Sequence, residues 1–303
     1  MRWLGGRESS NIEDRRGMGG AGLPVGIGGL GAVAVVVIGL FLGVDPSILL
    51  GMLGDDQSPQ TQTRRSDDPG YGPSAPSASR QGQGAGNDQM TRFVSVVLAD
   101  TEDVWRQTFQ DMGRNYQDPK LVLYTRSVES ACGMASSASG PFYCPRDQKV
   151  YVDLSFLEEM RQKLNAPGDF AQAYVVAHEV GHHVQNELGI LEAANAERAR
   201  SDKRRSNAIS VRLELQADCF AGVWANRADR MRQILEKGDI EEGLNAASAV
   251  GDDRLQRQAR GVVVPDAFTH GSSAQRVHWF KTGFQSGNLK ACDTFSAANA
   301  GGD

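Results

Sequence analysis

His178-Glu179-Val180-Gly181-His182-His183-Val184-Gln185 is the stretch from which the rest of this 303-residue chain is read. On an α-helix, His178 and His182 are four residues apart, so their imidazoles leave one face a turn from each other and can converge on one metal ion. Glu179 sits one position on. That offset turns its carboxylate away from direct coordination but keeps it near a water on the metal, where it can act as a general base. With five histidines in the chain, His-Glu-x-x-His would arise by chance in roughly one of several hundred to a thousand such sequences, so its surroundings decide its meaning. Residues 171–188 contain no proline and place Tyr174, Ala177, His178, Gly181, His182 and Gln185 on one side at helical spacing. Pro167-Gly168-Asp169 precedes them, with the aspartate as a candidate cap, and Gly189 can end the helix. The pattern points to a zinc hydrolase; the competing reading is a helix with incidental histidines.

A catalytic zinc usually takes three protein ligands and leaves one position open. Residues 211–225 (VRLELQADCFAGVWA) form a second helical stretch with Glu214 and Asp218 four apart on one face. Glu214 is the candidate third ligand. Asp218 is the candidate acceptor for the other N–H of a ligand histidine, fixing its tautomer; Asp218 as the ligand itself is the alternative. Their neighbours Leu213, Leu215, Ala217 and Phe220 argue against two solvated surface charges.

HEVGHHVQ followed by Glu-Leu-Gln-Ala-Asp resembles the gluzincin arrangement, as in the integral-membrane CAAX-type proteases. The closer resemblance is to the bacterial family of neutral zinc metallopeptidases. It is carried by an N-terminal Arg-Trp segment, Gly140-Pro141-Phe142-Tyr143-Cys144-Pro145, the zinc helix, Glu214-Leu215-Gln216-Ala217-Asp218-Cys219, and Phe268-Thr269-His270-Gly271-Ser272-Ser273-Ala274-Gln275-Arg276. It covers nearly the whole chain and implies a membrane-anchored peptidase. Thr269-His270 with Arg276 six residues later is similar to the Thr-His-Pro…Arg segment of the CAAX-type proteases, with Gly271 in the proline's place. By that similarity His270 or Arg276 donates to the oxyanion formed during hydrolysis; local backbone bonding for His270 and a structural ion pair for Arg276 are the alternatives. His183 and His278 have no assigned role, since the 100° helical step turns His183 away from a metal held by its neighbour.

A net charge of −5, from 32 basic and 37 acidic residues, gives no case for nucleic-acid binding, which needs a basic stripe. The local basic run at 198–205 reads as a solvated face or loop between the two zinc helices. Residues 24–44 (PVGIGGLGAVAVVVIGLFLGV) supply about 20 apolar or glycine residues, enough to cross a bilayer core as one helix. Arg2, Arg7, Arg15 and Arg16 precede this run and Asp45, Asp55 and Asp56 follow it. That bias predicts a cytoplasmic N-terminus and a catalytic domain outside the cytoplasm, in the periplasm of a diderm bacterium. A cleaved signal peptide is the rival, but the run is long for one and no small-x-small site follows directly. Residues 54–86, rich in Gln, Ser, Pro, Gly and Asp, read as a flexible tether. The expected divisions are therefore a cytoplasmic segment 1–23, a membrane anchor 24–44, a linker 45–89 and a metallopeptidase domain 90–303.

The four cysteines show no Cys-x-x-Cys spacing and allow three disulfide pairings. Cys132 with Cys144, closing a short Gly/Ser-rich loop, is the first choice and leaves Cys219 with Cys292; four buried thiols are the alternative in a reducing compartment. Periodicity predicts helix over 91–116, Asp239–Ala249 and 273–283, and strands at 121–125 and Lys149–Asp153. The gluzincin resemblance places Lys149–Asp153 at the cleft edge, pairing with an extended substrate; a core strand with no substrate role is the alternative. The expected fold is α+β, mainly helical, zincin- or gluzincin-like.

The expected chemistry is peptide-bond hydrolysis, with His178, His182 and Glu214 holding Zn²⁺, which activates the water, and Glu179 moving the proton to the leaving amine. Two alternatives stay open. One is a zinc-bearing but non-catalytic membrane-tethered binding or assembly module; the other is a zinc amidase acting on a non-peptide amide.

Overall fold

The computed structural model describes residues 1–16, 81–136, 140–163 and 168–296. The anchor expected at 24–44 and most of the linker lie outside these residues. Among those described, no helix is long and apolar enough to cross a membrane.

A small sheet and a larger set of helices share the core. Strand β1 (Ile12–Asp14) is followed by helix α1 (Gln81–Asp111), which begins inside the stretch read as tether. Then come β2 (Lys120–Tyr124), β3 (Ser127–Ser130), β4 (Gly133–Ser136), β5 (Phe142–Cys144) and β6 (Lys149–Asp153). Helices complete the chain: α2 (Leu154–Lys163), α3 (Asp169–Glu187), α4 (Ile190–Arg198), α5 (Lys203–Arg232), α6 (Asp239–Ala249), α7 (Asp252–Arg260) and α8 (Ser273–Ser286), with 3₁₀ turns at Pro265–Ala267 and Leu289–Cys292.

The four-stranded sheet has the order β1-β2-β6-β5, and β3 and β4 form a separate hairpin. β1, β2 and β6 run parallel, and β5 returns antiparallel to β6. Leu121, Val122, Leu123 and Tyr124 of β2 are all buried, as the interior strand of a parallel arrangement requires. β6 lies between β2 and β5 with both edges hydrogen-bonded. Lys149–Tyr151 therefore has no free edge for a substrate strand, and the cleft-edge placement gives way to the core-strand alternative there; β5 is the outer strand on that side.

The other outer strand is β1, from the segment the sequence reading had set apart as residues 1–23. Residues 1–16 belong to the same unit as the described residues from Met90 onward. Glu102 on α1 is buried, and its carboxylate accepts hydrogen bonds from Ser9 Oγ, Asn11 Nδ2 and Arg7 Nη2. Trp3 packs edge-on against Phe93. Boundary 23/24 thus does not separate a detached tail from a domain.

Helix α3 enters through Gly168, whose φ of 112° lies in the region that favours glycine. Asp169 makes no side-chain cap bond; its carboxylate instead lies 2.5 Å from the Met1 ammonium, which Asp239 also approaches at 3.3 Å. α3 packs on α5, and α5 on α8. Gly222 and Gly283 let α5 and α8 touch through their backbones, because a Cβ on either would overlap the facing main chain. Phe170 stacks near Trp224, and Phe220 meets Trp105 of α1 edge-on, filling the space between these helices. Disulfides join Cys132 to Cys144 and Cys219 to Cys292.

Candidate metal centre

The contact between α3 and α5 is where the two acidic and two imidazole groups meet. Gly181, between the two histidines, faces the main chain of Ala217, so the helices approach closely at this level. One ligand atom each from His178, His182 and Glu214 fall within 4.8 Å of one another. His178 Nε2 lies 3.2 Å from Glu214 Oε2 and His182 Nε2 lies 3.5 Å from Glu214 Oε1. Both Nε2 atoms thus face the same carboxylate.

The opposite nitrogen of each ring is held. His178 Nδ1 is 2.9 Å from Asp218 Oδ1, so Asp218 sits behind His178 rather than among the converging atoms. Asp218 is fully buried, and Arg276 donates to it through Nε at 2.8 Å and Nη2 at 2.9 Å. The Tyr174 hydroxyl also donates to Asp218. Arg276 is itself buried on α8 and bound to that carboxylate, in the manner of the ion-pair alternative, and its Nη2 lies 3.4 Å from His178 Nδ1.

His182 Nδ1 is 2.8 Å from Gln185 Oε1. Gln185 Nε2 donates to Leu213 O at 2.7 Å and to Gln216 Oε1 at 3.1 Å, and Gln216 Nε2 donates to Cys292 O at 2.9 Å. The Cys219–Cys292 disulfide therefore closes a chain of contacts that ends on His182. Sequence reasoning placed Gln185 on the right face but gave it no role. The signal was available: at three residues after His182, an amide is within reach on the same helix face.

Electrostatics follow from burial and these pairs. Burial alone would lower the His178 pKa, but Asp218 and Glu214 outweigh it and raise it to about 10. His182 is raised for the same reason by Glu214. Burial would raise Glu214, yet the two imidazoles hold it well below the ordinary glutamate range. Glu179, 8% exposed, goes the other way: burial pushes its carboxyl up, against the pull of His178 and His182. It is the more basic carboxylate of the pair.

His270 stands at the rim with its side chain 45% exposed. Asp252, buried at the start of α7, accepts from the backbone N–H groups of Thr269, His270 and Gly271 at 2.7, 2.6 and 3.1 Å, and lies 3.3 Å from His270 Nδ1. Asp252 thereby fixes the segment that carries His270, and Glu214 acts electrostatically on that imidazole. Asp252 was invisible in the sequence reading because its partners are backbone groups many residues away. His183 is fully buried; Gln117 O lies 2.6 Å from its Nε2 and the Tyr143 hydroxyl 3.0 Å from its Nδ1. It joins α3 to β5 structurally. His278 is exposed on α8.

Two imidazole nitrogens and one carboxylate, with each Nδ1 facing an acceptor and each Nε2 directed inward, are a donor set suited to zinc, whose binding would release the Nε2 protons. The carboxylates of Asp169, Asp239 and Glu242 also come within 4.8 Å of one another, but Asp169 and Asp239 flank the Met1 ammonium.

The family described as "Putative neutral zinc metallopeptidase" matches residues 1–295. The chain is similar to "Uncharacterized protein YpfJ" of Escherichia coli K12, 49% identical over 97% of this chain and 99% of that protein. It is also similar to "Uncharacterized protein Mb2605" of Mycobacterium bovis, 43% identical over 69% of this chain and 73% of that protein. "Uncharacterized protein Rv2575" of Mycobacterium tuberculosis matches to the same extent. No solved structure matches.

Proposed function

Because the chain belongs to the neutral zinc metallopeptidase family, whose cofactor is Zn²⁺, we propose that it is a peptidase in which His178, His182 and Glu214 hold the metal and Glu179 is the general base. The observation that carries this reading is the convergence of two Nε2 atoms on the Glu214 carboxylate while each Nδ1 is tied to a fixed partner. Zinc, when bound, lowers the pKa of a coordinated water and polarises the scissile carbonyl.

The protein's own groups do the rest. Glu179 accepts the proton of the attacking water and delivers it to the departing amine; burial, which raises its pKa, gives it basicity suited to both transfers. Asp218 holds the His178 ring with Nε2 inward, and Arg276 and Tyr174 keep Asp218 ionised and immobile in a buried setting. His270, oriented by Asp252 and partly exposed, is the group we assign to hydrogen-bond the carbonyl oxygen as it gains charge. An extended peptide would lie along β5, the outer strand beside α3. We read the arrangement as gluzincin-like, with attachment to a bilayer through residues 24–44.

The test uses the full chain and an unfolded protein as substrate. Glu179→Gln should keep its zinc and lose at least ~100-fold in turnover, the order that a positioned acid–base group supplies. Turnover equal to the parent chain removes Glu179 from the mechanism. Zinc retention with no cleavage by either chain favours the non-catalytic module.

A further inference from the structure

We propose that residues 1–16 lie on the same side of a bilayer as the zinc-binding unit, so that the chain joining them does not cross it a single time. The proposal concerns attachment and stands whether or not the site is a peptidase.

Residues 1–16 are built into the unit at every level. β1 pairs with β2 through Ile12↔Leu121, Glu13↔Val122 and Asp14↔Leu123, and Leu121 N donates to Asn11 O at 2.9 Å. Ser9 N donates to Ser95 O at 3.1 Å, and Arg15 N to Leu123 O at 2.8 Å. Lys149 Nζ lies 2.9 Å from Glu13 Oε1. The buried Glu102 carboxylate draws on Arg7, Ser9 and Asn11. Contacts of this length cannot be made through a hydrocarbon core of about 30 Å.

Connectivity then fixes a parity. A chain that leaves this unit after β1 and re-enters it along α1 crosses a bilayer an even number of times. Two crossings need a second apolar helix of about 20 residues. Beyond Val44 the aliphatic residues are Ile48, Leu49, Leu50, Met52 and Leu53, and residues 54–80 contain no Val, Leu, Ile, Met, Phe or Trp.

The arginines that predicted a cytoplasmic N-terminus have another use. Arg7 pairs with Glu102 and Asp103, Arg15 with Glu13, and Arg16 with Asp14. A basic flank reports orientation when it borders a span as a free segment. Here it supplies ion pairs to the fold that holds the zinc helix.

Glu8 and Arg92 face each other at 3.1 Å on the exposed surface. The test is E8C/R92C in the full chain in membranes, with a protease site inserted between Pro69 and Gly70. All four native cysteines lie at or beyond position 132, so after cleavage only a bond between positions 8 and 92 can join the fragments. The proposal expects the fragments to stay together on a denaturing gel after treatment with a short flexible bismaleimide, which spans the reach of the two side chains replaced, and to separate for E8C alone. Separation in the double variant overturns it. A membrane-impermeant maleimide applied to intact cells supplies a second readout, on E8C and on R260C at the exposed end of α7. Labelling of both or neither supports a shared side; labelling of one, with the other reached only after lysis, overturns the proposal.

Discussion

Gly181→Ala probes the one place where the metal centre depends on a missing side chain. A Cβ at Gly181 would lie 3.0 Å from Ala217 O and 3.1 Å from Ala217 Cα, inside the ordinary contact distance. Both atoms are main chain, so no rotamer change relieves the contact, and α5 has to recede from α3 by a few tenths of an ångström. Glu214 and Asp218 ride on α5, whereas His178 and His182 stay with α3. Zinc sites tolerate about ±0.2 Å in ligand distance, so the shift is comparable with the whole tolerance. Overpacking of this kind costs about 1–3 kcal/mol. Recovering that strain at the metal site converts to a roughly tenfold to hundredfold loss of zinc affinity, at about 1.4 kcal/mol per decade. The assay is chelator competition on the full chain, with circular dichroism to confirm the fold. Ala217→Gly should not rescue the variant, since the atoms met belong to the backbone. Zinc affinity within about threefold of the parent, at unchanged thermal midpoint, would refute the reasoning that the α3–α5 approach sets the ligand geometry.

Asp218→Asn keeps the size of the side chain but removes the charge that Arg276 and His178 share; zinc affinity should fall about 10–100-fold, measured by the same competition, with no change if Asp218 is a bystander. Glu13→Gln should lower the thermal midpoint at neutral pH. Lys149 and Arg15 hold the Glu13 carboxyl down from 4.5 to about 2 despite desolvation, so its contribution is present above pH 4.5 and is lost as pH falls towards 2. The gap between parent and variant should close across that window; a pH-independent gap contradicts the ion-pair origin. A chain lacking residues 1–16 loses the β1–β2 pairing, the Trp3–Phe93 contact and the Glu102 partners Arg7, Ser9 and Asn11, and should be less stable than the parent. Denaturant titration should show it, and parental stability would mean that β1 is dispensable.

The sequence carried the local part of this architecture because its signals are local. His178, Glu179, His182 and Gln185 lie within eight residues of one helix, and Glu214 and Asp218 share a face of the next long one. Helical spacing therefore exposes them before any fold is known. The strands at Lys120–Tyr124 and Lys149–Asp153 announce themselves as short runs of Leu, Val and Tyr. What stayed hidden depends on distant partners. β1 is only Ile-Glu-Asp, with no apolar period, and becomes a strand because β2 offers it an edge. Arg7 looked like part of a membrane flank because its acidic partners Glu102 and Asp103 lie about ninety residues away. Lys149–Asp153 looked like an edge strand, and only the register with Phe142–Cys144 shows that Lys149–Tyr151 is covered. Asp169 had the composition of a helix cap and was instead recruited by the Met1 ammonium.

The central claim is that His178, His182 and Glu214 hold one zinc ion. The direct measurement is metal content by mass spectrometry of the full chain, parent beside His178→Ala and Glu214→Ala, prepared with zinc present and no chelator. The account predicts about one zinc per parent chain and substantially less in both variants, with the fold retained. A parent chain free of zinc, or a Glu214→Ala chain that holds zinc as tightly as the parent, would contradict it.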